Sequence, residues 1–337
     1  MEYVEIPEAG ERDEVIAHVR ANSEVAFTWD YGRSRPPLEK LYEKGKLSQW
    51  NATTDLDWSL EVDPTRPNLP DAQIPIFGTP IWDRMSEANR AELRHHMSAW
   101  ILSQFLHGEQ GALLCTAQIV ETVPWIDAKY YAATQVMDEA RHVETYARYL
   151  EEKIELAYPI NRHLKALLDQ IVSDSRWDMT YLGMQVLVEG LALAAFGFIR
   201  ELADEPLLKE LTRYVMADEA RHVAFGTLAL KEAYQEISEG ERIEREDFCY
   251  EASVLMRDRF LAEEVWEAMG LPPEECRQAI HESELMQGFR RMLFSKIVPN
   301  LKKLGLLSDR IRPAYAELGV LEFEDLVDPE TEALLAG

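Results

Sequence analysis

The pentapeptide Asp-Glu-Ala-Arg-His occurs twice in this chain, at Asp138 to His142 and again at Asp218 to His222. At one and the same interval before the glutamate of each copy stands another glutamate, Glu109 in FLHGEQGALL and Glu189 in VLVEGLALAA, so that the pattern E-x28-DEARH is present twice. On a helix, Glu139 and His142 project from one face about one turn apart, and so do Glu219 and His222. An antiparallel helical hairpin can bring the earlier glutamate to the same level. Two such hairpins face to face would gather four carboxylates and two imidazoles, a set suited to a pair of divalent metal ions.

Charge favours the same chemistry. Glu189 lies within the apolar run Val186 to Ile199 with no cation near it in sequence, where an unpaired ionised carboxylate is very costly. Four glutamates and two divalent ions sum to neutrality. Carboxylate and imidazole without thiolate suit iron or manganese, with zinc chemically open, and iron fits better. A single Glu-x-x-His is common on solvated helices; the doubled, equidistant pattern is not.

The neighbouring residues have readings of their own. Asp138 with Arg141, and Asp218 with Arg221, can pair along their own helices or across to the opposite hairpin, and the aspartates can take the free N–H of the histidines. The alternative is plain surface ion pairing. Glu121 rivals Glu109 but has no counterpart in the second half, and His95, His96 and His107 read as surface or packing residues. Tyr146, four residues after His142, reads as a core aromatic. Its counterpart is Gly226, which predicts a substrate cavity beside the metals. Trp50, Asp55, Asp57 and Trp58 in QWNATTDLDW read as packing, with a substrate-entry cap as the alternative.

Over about residues 90–235 these motifs resemble the ferritin-like diiron carboxylate oxygenase and oxidase superfamily, related to the ribonucleotide reductase small subunit. The DEARH form is most similar to the arylamine N-oxygenase and bacterial monooxygenase branches. The resemblance implies an all-α, ferritin-like four-helix bundle with additional N- and C-terminal helices. It implies two Fe ions, with a Mn/Fe pair as the alternative, and O2 as co-substrate in oxidation of a small organic molecule. Glu109, Glu139 and His142 would hold or bridge one metal, and Glu189, Glu219 and His222 the other. The chain departs from the pattern at Val215, where arylamine N-oxygenases carry a further ligand histidine. It departs again at Ala192 and Leu193, where monooxygenases tend to place a threonine. Tyr146 matches the radical tyrosine spacing of the ribonucleotide reductase branch, which keeps a radical-generating or ligand-binding oxidase as an alternative. Iron storage is another, although storage shells use shorter chains than one expected as a monomer or homodimer.

The elements that must position these residues are helices. From about Ser86 proline becomes sparse and apolar residues recur at three- and four-residue intervals. Helices are predicted near 86–122, 125–155, 158–173, 176–203, 205–237, 241–268 and 273–297, after shorter ones near Glu14 to Ala21 and Leu38 to Ser48. Residues 1–84 form an N-terminal extension, 85–300 the bundle, and 301–337 a C-terminal segment whose acidic tail from about Glu322 reads as a solvated end.

Composition narrows the partners. The chain has 337 residues, 35 Lys and Arg against 61 Asp and Glu, and a net charge of -26, which disfavours nucleic acid and anionic membranes. Cys115, Cys249 and Cys276 lack disulfide or zinc spacing and fit a reducing, cytoplasmic setting. The start of the chain is acidic and has no signal-peptide pattern. The run Val186 to Ile199 is interrupted by Glu189 and shorter than a bilayer span, and so reads as a buried helix. No dinucleotide or P-loop motif is present, so electrons are expected from an external reductase or ferredoxin, or from the substrate.

Overall fold

The structure, a computed structural model, describes residues 2–4, 16–21, 24–64, 70–327 and 333–334. In chain order its elements are β1 (Glu2–Tyr3), α1 (Pro36–Leu47), α2 (Pro80–Arg84), α3 (Glu87–Thr122), α4 (Ile126–Tyr149), β2 (Leu156–Ala157), α5 (Arg162–Ser173), α6 (Trp177–Tyr181), α7 (Glu189–Leu202), α8 (Pro206–Ala233) and α9 (Glu239–Asp258). After these come α10 (Glu263–Ala268), α11 (Pro273–Glu282), α12 (Glu284–Met292), α13 (Val298–Lys303) and α14 (Arg312–Glu317). A π-helical stretch, Leu182–Val188, joins α6 to α7. β1 and β2 pair in parallel over two residues each and are the only sheet among the described residues.

Two hairpins form the bundle, and their arms are matched. Glu109 stands as far before the end of α3, at Thr122, as Glu139 stands after the start of α4, at Ile126. The second hairpin repeats that arm length, from Glu189 to Leu202 at the end of α7 and from Pro206 at the start of α8 to Glu219. Both loops, 123–125 and 203–205, have three residues. Equal arms from a short turn place the two glutamates of each hairpin at one height.

Local chemistry fixes the turns. Ser86 caps α3 by accepting from the Asn89 N–H. Glu205 caps α8 by accepting from Leu207 and Leu208, with Pro206 preset at the first helical position. Tyr149, at the end of α4, donates to Glu205 at 2.8 Å and so ties one hairpin to the turn of the other. Outside the bundle, Arg35 pairs with Glu232 of α8 while stacking on Trp125, and Asp127 of α4 accepts from the Ser34 and Arg35 backbone. Gly45 lets α1 lie close to α4, because a Cβ there would stand 3.1 Å from Thr134 Cγ2.

Several expectations are corrected. The described part of the first predicted helix, Ile16 to Ala21, is irregular; Glu14 lies outside the described residues. The helix expected from 158 starts only at Arg162, after Asn161 caps α5 by accepting from His163 and Leu164. Gly240 lies inside α9 and does not precede it, since Ser238 and Glu241 form a capping box. The helix expected over 241–268 is broken by Ala262, whose φ of 50° separates α9 from α10. The helix expected over 273–297 is interrupted at Ser283, which caps α12. The helical run Trp177–Leu202 has 26 residues, long and apolar enough to cross a membrane, so the length argument for burial does not hold. Burial itself decides instead: 83% of its most apolar window is inside the protein, as in the core helix of a bundle. Of the C-terminal tail, Asp325 to Val327 are exposed, as a solvated end requires, while Glu324 pairs with Arg312 and Lys302 and Leu334 packs on Leu193, Ala220 and Val223.

Candidate metal centre

α3 supplies Glu109, α4 supplies Glu139 and His142, α7 begins at Glu189, and α8 supplies Glu219 and His222. All six are buried, the most exposed being Glu109 at 5%. Their donor atoms form two overlapping groups, Glu109, Glu139, His142 and Glu219 in one, and Glu139, Glu189 and His222 in the other, with the atoms of each group within 4.8 Å of one another. The grouping crosses the hairpins, with Glu139 in both groups. His142 Nδ1 lies 3.2 Å from Glu109 Oε2, 3.4 Å from Glu139 Oε2 and 3.2 Å from Glu219 Oε1. His222 Nδ1 lies 3.1 Å from Glu139 Oε1 and 3.6 Å from Glu219 Oε1.

Each motif's aspartate serves the other motif's histidine. His142 Nε2 lies 3.1 Å from Asp218 Oδ2, and His222 Nε2 lies 3.4 Å from Asp138 Oδ2. This leaves both Nδ1 atoms facing the carboxylates, the arrangement in which a carboxylate orients a ligating imidazole. Arg141 and Arg221, both buried, each pair with both aspartates, so neither arginine is a surface ion pair.

Without a cation the acids and imidazoles divide the charge among themselves. Burial, reinforced by the Glu219 carboxylate, pushes Glu109 up to about 8. Burial and the Glu139 carboxylate raise Glu189 well above the carboxylate range. Burial alone would lower His142, but the Glu109 carboxylate and the Asp218 bond outweigh it and hold the imidazole well above its usual value. His222 is raised in the same way, Glu139 and Glu219 outweighing burial. Conversely, His222 and His142 outweigh burial at Glu139 and hold it well below the ordinary range. Glu189 Oε2 is buried with no hydrogen-bond partner among the described residues, while Glu139 Oε2 and Glu219 Oε1 meet only the imidazole Nδ1 atoms. Buried acceptors of this kind, in an oxygen and imidazole set, fit a pair of transition-metal ions.

The family follows from sequence. Residues 34–305 match the model of the p-aminobenzoate N-oxygenase AurF family. This chain belongs to the AurF family. As an AurF-family protein it is an O2-dependent oxidoreductase of the diiron oxygenase and oxidase class. Comparison with curated proteins gives no match. Among solved structures, an R2-like ligand-binding oxidase with an aerobically reconstituted metal cofactor after photoconversion superposes with a TM-score of 0.53 at 18% identity, covering 79% of this chain and 93% of that one. Another, with an aerobically reconstituted Mn/Fe cofactor, gives 0.50 at 16% identity over 79% and 92% of the two chains. These likenesses establish the ferritin-like helical fold.

Other expectations meet mixed outcomes. Glu121 is exposed and is no rival to Glu109. His95, His96 and His107 bond to Ile154 and Tyr158, which is packing. Tyr146 is buried against Phe105 and Phe196, its hydroxyl without a partner among the described residues. The predicted cavity at Gly226 is overturned: a Cβ there would stand 2.5 Å from Gln185 Cβ, so the π-helical stretch fills the gap. The family's further histidine position, Val215, is buried core.

The N-terminal segment contributes more than packing. Trp50 donates to Asp218 at 2.8 Å and lies over Arg141 and Tyr214, and Gln49 bonds to both Asp138 and Arg141. Gln49 carries no signal in the sequence, because nothing local marks a contact made to the middle of α4. Gln135 was also missed, although its position four residues before Glu139 puts it on the ligand face. A cleft of about 440 Å³ opens beside the ligand helices, lined by Leu193, one turn after Glu189, and by Met216, with Phe198 and Met292.

Proposed function

We propose that this chain oxygenates a small organic molecule at two iron ions held by Glu109, Glu139, His142, Glu189, Glu219 and His222. The observation that carries the reading is the convergence of these six buried side chains, with an orphaned acceptor on Glu189, between two hairpins. Bound in the reduced state, such a metal pair supplies the electrons and the template for O2 activation. The protein's part is separate. Asp218 and Asp138 set which imidazole nitrogen faces the centre, Arg141 and Arg221 neutralise those aspartates, and the Trp50 and Gln49 segment closes the polar layer against water. The cleft at Leu193 and Met216 is the approach for the substrate, and its largely apolar lining suits an aromatic or aliphatic body.

Electrons come from a separate protein or from the substrate, since the sequence carries no nucleotide-binding motif, and the net charge of -26 suits a basic donor. The three free, buried cysteines suit a reducing, cytoplasmic setting. The test is iron analysis and O2 uptake. The reduced, iron-supplied protein is expected to hold about two irons per chain and to consume O2 faster with a substrate from an arylamine panel or another small-molecule panel. Protein that takes up two irons and consumes no O2 with any reductant would sink the oxygenase reading. A light-scattering mass of a monomer or dimer is expected, and a large shell would favour storage.

A further inference from the structure

Gln135 is fully buried on α4. Its amide nitrogen has two hydrogens and meets two carboxylates, Glu139 Oε1 at 2.9 Å on its own helix and Glu189 Oε1 at 2.8 Å on the other hairpin. Of the other oxygens of those carboxylates, both buried, Glu189 Oε2 has no hydrogen-bond partner among the described residues, and Glu139 Oε2 meets His142 Nδ1 at 3.4 Å. The Gln135 carbonyl oxygen also lacks one, so its polar bonds go only to the two glutamates. The amide therefore takes one oxygen of each acid, fixing how each carboxylate is turned: Glu189 keeps Oε2 without a partner, and Glu139 presents Oε1 to His222 and Oε2 to His142. It also offsets the repulsion between two acids brought together in the core, through hydrogen bonds strengthened by the acceptors' charge.

The internal repeat sharpens the point. The position equivalent to Gln135 in the second copy is Val215, buried and without a side-chain donor. The mirror acids, Glu219 and Glu109, receive no such bridge from that position. Glu139 belongs to both groups, so the two metal positions differ in what holds the acids they do not share: Gln135 reaches Glu189, and no equivalent amide reaches Glu109 or Glu219.

Resting on the dimetal reading, we propose that Gln135 is a positioning residue for the metal position served by Glu139, Glu189 and His222, and that it sets the affinity of that position separately from the other. Partners that orient metal ligands typically govern affinity by about 10- to 100-fold.

The test is titration of the metal-free full-length chain with Mn(II), followed by calorimetry and electron paramagnetic resonance, for wild type, Gln135→Leu and Gln135→Met. Wild type is expected to bind two ions and to give the signal of a coupled pair. The variants are expected to keep one affinity and lose about 10- to 100-fold in the other, so that the six-line signal of an isolated Mn(II) persists at two equivalents. Thermal melting of the metal-free proteins checks folding, and the unbranched methionine serves if leucine does not fit. Variants that bind both ions with wild-type affinity, or lose both affinities equally, overturn the role of Gln135 while the dimetal reading stands. Wild-type protein that binds fewer than two ions overturns both.

Discussion

The hairpin of α3 and α4 and the hairpin of α7 and α8 carry the same ligand pattern on different supports. α3 is one continuous helix of 36 residues through Glu109, whereas Glu189 comes directly after a seven-residue π-helical stretch. Gln135 and Tyr146 on the first hairpin have Val215 and Gly226 as their counterparts on the second. The ligands and the crossed Asp and Arg pairs repeat because each is needed to balance buried charge. Gln135 and Tyr146, about one turn away, do not repeat, and on the proposed reading Gln135 is what makes two equivalent halves into two unequal metal positions. A π-bulge widens a helix locally and commonly marks a functional site; here it also brings Gln185 against Gly226.

The comparison can be broken most severely at Glu139, which stands in both ligand groups. Glu139→Ala should lose both ions, with affinity falling by more than about 100-fold, whereas Glu109→Ala should weaken one position only; metal analysis after gel filtration distinguishes them. Next is pH. His142 and His222 are held well above their usual value and Glu109 is pushed up to about 8, so ions must displace protons to bind. Metal affinity should therefore rise with pH through about 8 and fall on acidification, with proton release on loading seen in weakly buffered solution; loading without proton release would contradict this.

The aspartates provide a finer test. Asp218 lies 3.1 Å from His142 and also accepts from Trp50, while Asp138 lies 3.4 Å from His222. Asp218→Asn should cost about 10- to 100-fold in metal affinity, and Asp138→Asn less, by about tenfold. Equal losses in Mn(II) titrations would erase the asymmetry. The smallest effect is expected at Tyr146. Because its buried hydroxyl has no partner among the described residues, Tyr146→Phe should change stability by only about 0.5 kcal/mol, towards greater stability. Thermal melting measures it, and a tyrosyl radical signal lost in this variant would instead revive the radical-generating alternative.

Much of this molecule is legible without coordinates. The all-α class, the long helices and the candidate ligand set all follow from periodicities of three and four and from one doubled motif, since helix geometry turns such local spacings into faces. The hairpin arms were readable for the same reason, because proline and polar breaks mark both three-residue loops. Ala262 breaks a predicted helix with no glycine or proline at that point, and the π-helical stretch lies in a segment so uniformly apolar that no period distinguishes it. Both depend on packing against distant elements.

The sequence alone singled out the six side chains of the candidate site, through one doubled motif and its equidistant glutamates. Only the tertiary structure decided how they are shared and held: Glu139 between both groups, each aspartate crossed to the opposite histidine, Gln135 bridging two acids, and Trp50 of the N-terminal segment reaching Asp218 on α8. The physical reason is range. Helical periodicity is fixed by bonds within four residues, while the partner of a buried charge is whichever group the packed hairpins bring within about 3 Å.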